Sequence, residues 1–194
     1  MSTVSSNGLG FLTPTTPIPY DQQLEDVLSP TIAGITGLAV NLVRPRFQEN
    51  PPTQPDRSVN WVAFGVMRTV SDTYQAVNYD AHGVASVIRY HEFDVLLSFY
   101  GPLGSSYCEI FRDGLLIGQN RDLLTQNDIG VVDIGESRKA PALFKENWLT
   151  KYDMNVTFRR RTQRAYPILS IGSASITINT DPVGESPVVV NVTQ

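Results

Sequence analysis

The side chains best suited to acid–base, nucleophilic or metal chemistry are two histidines, His82 and His91, and a single cysteine, Cys108. Nucleophilic hydrolysis needs a serine or cysteine within reach of a base and a backbone oxyanion site. A small hydrolase built on this chain would use His91 with Cys108 or a nearby serine, yet no G-x-S-x-G turn accompanies them. His91 sits in Tyr90–His91–Glu92 on a strand-like run, where an edge histidine satisfied by local hydrogen bonds is the simpler reading. One cysteine and two separated histidines do not give the paired spacing that preorganises zinc, and no carboxylate loop resembles a calcium hand. The sequence therefore predicts no metal, no cofactor and no catalytic residue.

Carboxylate pairs at Glu92/Asp94 and Asp122/Asp128 fall on a strand face and near a helix end, where such pairs usually solvate a surface or meet arginines. Gly101 and Gly104, or Gly130 and Gly135, follow strands but lack the G-x-G-x-x-G spacing or P-loop lysine that cradles phosphate. The sharp charge feature is Arg159–Arg160–Arg161 with Arg164. On a strand, successive arginines point to alternate faces. The run can solvate a strand end, or its guanidinium forks can bind carboxylates of an adjacent subunit, with Glu92 and Asp94 as the natural partners. Contact with DNA passing through a ring is a third reading, but no interleaved aromatic residues or overall basicity support it.

Composition points toward protein partners. The net charge is -4 and the pI about 5.1, so the chain lacks the broad cationic surface that nucleic acid or anionic lipid requires. A lone cysteine in an apolar helical pattern reads as a buried thiol and suits a reducing cytosol. The sequence shows neither a signal peptide nor an apolar run long enough to span a bilayer, so a soluble product is expected. Residues 1–20 carry no charged side chain and are rich in Ser, Thr, Pro and Gly, and residues 165–194 carry no Lys or Arg. They read as an N-terminal arm and an adhesive C-terminal extension around a centre large enough for one core.

These side chains must be positioned by elements that the pattern of apolar residues predicts. A helix should begin at a capping Asp21 and run through Leu24, Val27, Leu28, Thr31, Ile32 and Ile35 to a stop at Gly37, kinked or divided at Pro30. Residues 42–48 are extended around Pro45, and the proline-rich residues 49–60 form a loop. Residues 61–70 and 84–100 read as antiparallel strands separated by the turn-prone residues 71–83. In the second, Phe93, Val95, Leu97 and Phe99 share one face, and Leu96 interrupts the polar one. Ser105 or Ser106 should cap a helix carrying Tyr107, Ile110, Phe111 and Leu115, followed by a helical turn at residues 122–126. A third strand covers residues 129–132. In the fourth, Tyr152, Met154, Val156 and Phe158 alternate with polar residues. The order implies an α+β fold with a mostly antiparallel four-stranded sheet and helices packed on one face, over residues 21–167, with arms at 1–20 and 168–194.

Several segments, taken in order, resemble the neck or tail terminator proteins of contractile-tailed bacteriophages. They are Val43–Arg44–Pro45–Arg46–Phe47–Gln48, Asn60–Trp61–Val62–Ala63–Phe64–Gly65–Val66, Arg89–Tyr90–His91–Glu92 and Ser98–Phe99–Tyr100–Gly101–Pro102. Further on come Arg112–Asp113–Gly114–Leu115, Gln119–Asn120–Arg121, Asn147–Trp148–Leu149 and Arg159–Arg160 with Arg164–Ala165–Tyr166–Pro167. The sequence departs from the pattern at Phe47, where a tryptophan is usual, at Gly118, where a proline is, and in the two arms. The resemblance implies a structural virion protein, made in the host cytoplasm, that forms a homo-oligomeric ring, usually hexameric. Such a ring caps the tail tube and joins it to the head-side connector, with sheath proteins as further neighbours and genome DNA passing through. A connector or adaptor bound directly to the portal is the neighbouring alternative. No enzyme activity is implied.

Overall fold

The computed structural model describes residues 11–15, 17–18, 20, 22–80, 83–144, 147–168, 173–178 and 188–193; Asp21 and His82 lie outside the described residues. Helix α1 spans Gln22–Thr36 as one element that contains Pro30. It stops at Gly37, whose φ of 71° is a left-handed conformation that glycine adopts without Cβ strain, and whose N–H donates to the Ala33 carbonyl at 2.8 Å. Strands β1 (Val43–Pro45), β2 (Trp61–Ser71), β3 (Ala76–Tyr79) and β4 (Val84–Tyr100) follow. Next come α2 (Gly104–Leu116), α3 (Asp122–Gln126), β5 (Ile129–Ile134), β6 (Arg138–Lys139), β7 (Ala142–Phe144) and β8 (Asn147–Leu149). The chain continues through β9 (Lys151–Pro167), β10 (Ser173–Ile178) and β11 (Val188–Thr193).

The α+β class holds, but the four-stranded antiparallel sheet does not. The main sheet has seven strands in the order β1-β2-β4-β9-β5, with β3 added to β4 and β6 to β9. It is mixed, because β1 runs parallel to β2 while the remaining pairs are antiparallel. The extra strands are three, four and two residues long, too short to show a periodic apolar pattern; β1 buries only Val43, and β3 and β6 are exposed and held by their ladder hydrogen bonds. The cap expected at Ser105 or Ser106 also fails. Both lie inside α2, whose start is Leu103 with no side-chain cap; instead the Leu103 N–H is held by Asn60 Oδ1 at 2.8 Å.

One face of the sheet carries the core. Phe93, Val95, Leu97 and Phe99 on β4 lie beside Met154, Val156 and Phe158 on β9 and Val62 and Phe64 on β2, all buried against Leu28, Ile32, Phe111, Leu115 and Leu124 of the helices. Rings stack across the ladder at Phe93 and Phe158, 5.5 Å apart, and Phe99 meets Phe111 from α2 at 6.0 Å. Burying each such side chain contributes roughly 1.5–3 kcal/mol. Ile110, assigned to this stripe by spacing, is 44% exposed, and Cys108 fills the core instead.

β4 and β9 are each 17 residues long and paired along their whole length, from Val84↔Pro167 to Tyr100↔Lys151. At about 3.3 Å per residue they run roughly 55 Å. The apolar core occupies the half nearest Tyr100 and Lys151. In the distal half β3, β4 and β9 form a ribbon in which β9 supplies a polar, arginine-rich strand and β3 and β4 mix apolar and polar residues. β10 and β11 form a separate two-stranded sheet, as do β7 and β8.

Candidate assembly surface

The period-two geometry of β9 sorts the arginines. Arg160 and Arg164 continue the inward row of Met154, Val156 and Phe158, whereas Arg159 and Arg161 take the opposite face. Arg160 is 3% exposed. Its guanidinium lies 4.7 Å from the Tyr20 ring centroid and that of Arg164 lies at 5.6 Å, with Arg164 Nη2 donating to the Tyr20 hydroxyl at 2.8 Å. Tyr20 thus closes over two cations at the top of the core, held by their attraction to its ring face. The chain before Tyr20 is fastened to the same ribbon, as the Thr15 N–H donates to the Ala165 carbonyl at 2.8 Å.

His91 stands opposite Arg160 in the ladder and is also buried. Its Nδ1 is 2.7 Å from Ser71 Oγ and its Nε2 is 3.0 Å from Thr162 Oγ1. The Thr162 hydroxyl donates its own proton to the Arg89 carbonyl at 3.1 Å. It therefore accepts from Nε2–H, which leaves Nδ1 to accept from Ser71. Burial is the largest cause holding the imidazole pKa below its ordinary value of 6.5, helped by Arg160, Arg89 and Arg164 and opposed by Asp72. The ring is a neutral tie between strands. Both ring nitrogens are occupied by hydroxyl partners, so Cys108 is not the hydrogen-bond partner of His91. Cys108 is fully buried on α2, and that burial raises its thiol pKa.

On the outer face, Arg159 and Arg161 stand opposite Glu92 and Tyr90 in the β4 ladder. Arg159 lies over the Tyr90 ring at 4.6 Å and reaches Asp72 at 3.7 Å, while Arg161 donates to Gln163 at 2.9 Å. Asp94 accepts from Thr157 at 2.7 Å and approaches Arg68 at 3.7 Å. Glu92 and Arg159 are exposed, and Tyr74, Tyr79 and Tyr90 are exposed nearby at 90%, 72% and 39%. Arginine and tyrosine together are the side chains enriched in protein interfaces, since both offer large contact area with a polar end.

Lower on the outer face, Arg46 crosses Gly65, where an added Cβ would lie 3.1 Å from the Arg46 Cβ, and donates to Ser98, which donates to Asp153. Lys151 completes the strip at 2.9 Å from Asp153. Beside it Trp61 stacks on Tyr100 at 4.1 Å, with Arg44 over Trp61 at 5.7 Å. Arg44 also donates to the Thr53 carbonyl at 2.7 Å, which anchors the proline-rich loop. A cleft of about 840 Å³ between α1, the turn at Phe47 and the inner face is lined by Tyr20, Glu25, Phe47, His91, Phe93 and Arg160.

Sequence reasoning placed the arginine run and His91 on strands but missed Tyr20, Ser71 and Thr162 as their partners. Extending the alternation of β9 past Phe158 would have put Arg160, Thr162 and Arg164 on the inner face; nothing local marks Tyr20. Asp122 begins α3 and Asp128 follows its end with φ of 56°, and Asp128 contributes its carbonyl to the Arg161 N–H at 3.1 Å. Among the described residues no group of three His, Cys, Asp or Glu side chains is placed to hold a metal ion, and no helix is long and apolar enough to cross a membrane.

No curated protein sequence matches the chain. The family profile described as phage neck terminator protein matches residues 22–181, from the first residue of α1 to beyond β10. That span takes in every element of the seven-stranded sheet together with both arginine faces, and on it the chain belongs to the phage neck terminator protein family.

Proposed function

We propose that the chain is a virion subunit that closes into a ring at the neck, capping the tail tube and joining it to the head-side connector. Family membership supports a structural neck protein that meets head and tail components. The observation that carries the finer reading is the distal β3–β4–β9 ribbon, which presents Arg159 and Arg161 with exposed tyrosines outside the helix-covered core. A ring of identical subunits repeats one heterologous contact around a closing rotation, and a projecting charged ribbon meets that need. Carboxylates of a neighbouring subunit or neck protein are the partners we assign to Arg159 and Arg161. Arg160 and Arg164 support them from the inner face through Tyr20. Glu92, opposite Arg159, and Asp94 belong to the same surface. Residues 21–167 form the ring-building domain, with residues 1–20 and 168–194 as arms toward neighbours; the ring is hexameric and leaves room for the genome to pass.

The test is the pair Arg159→Glu and Arg161→Glu made together. Both side chains are on the outer face; losing the Arg159 contacts to Tyr90 and Asp72 and setting a glutamate opposite Glu92 costs about 1–2 kcal/mol, which leaves the fold intact, while phage lysates contain separate heads and tails. Joined particles at wild-type yield would refute the role of this face. Micrographs of the neck show whether the chain forms a ring, and a cross-link to the tail tube protein separates a terminator from a portal-bound adaptor.

A further inference from the structure

The two-stranded sheet β10–β11 is paired in register from Ser173↔Thr193 to Ile178↔Val188 but, among the described residues, shares no ladder with the main sheet. A lone two-stranded hairpin is marginal in water. Its strands, SASITI and VVVNVT, contain no charged residue and no proline, so they lack the devices that normally keep exposed strand edges from pairing.

Most edges of the main sheet are protected. β1 is three residues long and ends at Pro45, β5 carries a register break between Val131 and Asp133, and β6 consists of Arg138 and Lys139. β3 is not protected: Ala76–Tyr79 is uncharged, exposed at every residue and paired to β4 without a bulge. The Asp80 N–H donates to the Val84 carbonyl at 3.0 Å, which fixes the alternation of the ladder. Residues in phase with Asp80 bond to β4, and so Val77 and Tyr79 direct their backbone N–H and C=O away from it.

Resting on the assembly reading above, we propose that the C-terminal hairpin of one copy adds edge-on to β3 of a neighbouring copy, continuing the sheet across the subunit boundary. Within one chain β3 and the hairpin remain in separate sheets. Side-by-side subunits in a ring supply the second copy at high local concentration. Residues 165–194 contain no Lys or Arg but include Asp181 and Glu185, and Arg89, next to Ile88 that pairs with Ala76 of β3, and Arg161 offer them cations on a ribbon that also holds Asp72, Asp80 and Glu92. Main-chain hydrogen bonds would give the contact its strength, as in other strand additions.

The full-length chain with a photo-reactive amino acid at position 77 is irradiated in assembled particles, and the cross-linked peptides are identified by mass spectrometry. Strand addition gives a covalent dimer linking position 77 to residues 173–178 or 188–193 of a second copy. Cross-links confined to one chain, or directed to another segment, overturn the proposal. In parallel, Val77→Pro removes an outward N–H and spares the β3–β4 ladder. It should leave the melting transition in place and lower the yield of assembled rings at least tenfold. Rings of normal size and yield with Val77→Pro sink strand addition but leave the ring reading standing; absence of rings in the unsubstituted protein sinks both. Should Val77→Pro fail to fold, the cross-link alone decides.

Discussion

Gly114 in α2 faces Ile35 in α1 so closely that an added Cβ would lie 2.3 Å from the Ile35 Cγ2 atom. Replacing glycine by alanine inside a helix normally stabilises by about 1 kcal/mol, because glycine has more backbone freedom to lose on folding. Overpacking a helix contact costs about 1–3 kcal/mol, and a β-branched isoleucine on a helix has one strongly preferred rotamer and little room to yield. Gly114→Ala should therefore destabilise by on the order of 1 kcal/mol, and lower the melting temperature by roughly 2–4 °C for a chain of this size. Gly34 in α1 is the internal control. It is exposed with nothing within 4 Å of its added Cβ, so Gly34→Ala should stabilise by about 0.5–1 kcal/mol. Ile35→Ala removes the obstructing methyl, and in that background Gly114→Ala should change sign and become stabilising. Urea denaturation of the four proteins of the cycle gives the coupling, about 2 kcal/mol. A stabilising Gly114→Ala in the otherwise unchanged chain, or no coupling to Ile35, would refute the assigned contact between α1 and α2.

His91 sets a pH dependence. Its folded pKa lies below the unfolded value near 6.5, so its contribution is fully present above that value and is lost as pH falls from there toward the folded pKa, where only the unfolded chain takes up the proton. Denaturation midpoints between pH 8 and pH 5 should fall, and His91→Gln should flatten that slope; an unchanged slope would remove His91 as its source. Gly101 has φ of 102°, and a Cβ there would sit 2.6 Å from both the Val59 carbonyl oxygen and Asn60 Oδ1. Gly101→Ala should cost about 2–4 kcal/mol from backbone strain and the disturbed Asn60–Leu103 hydrogen bond, read as a melting temperature lower by roughly 5–15 °C.

The family segments noted in the sequence acquire physical meaning only in three dimensions. Asn60 and Gly101–Pro102 are distant in sequence, yet they form one corner in which the asparagine holds the start of α2. Arg112–Asp113–Gly114 and Asn120 meet where Asn120 Nδ2 donates to the Gly114 carbonyl at 2.9 Å. Arg46 and Ser98 meet Asp153 across three strands. Each segment was legible, but the pairings depend on which strands lie side by side.

What the sequence by itself determined follows from local periodicity. The alternation of Phe93 to Phe99 and of Tyr152 to Phe158 defined β4 and β9 and their buried face, and the spacing of Leu24, Leu28 and Ile32 defined the inner face of α1. These long elements bury a whole stripe, so the apolar pattern must match their repeat. Tertiary structure decided the rest. β1, β3 and β6 are too short to carry a period and exist because a longer strand offers them a ladder. Arg160 was legible as a charge but became a buried cation because Tyr20, far away in the chain, closes over it. The division of the arginine run into an inner and an outer pair follows from strand alternation, but the burial of the inner Arg160 depends on Tyr20 and on where the helix layer ends, and only the packed fold fixes that.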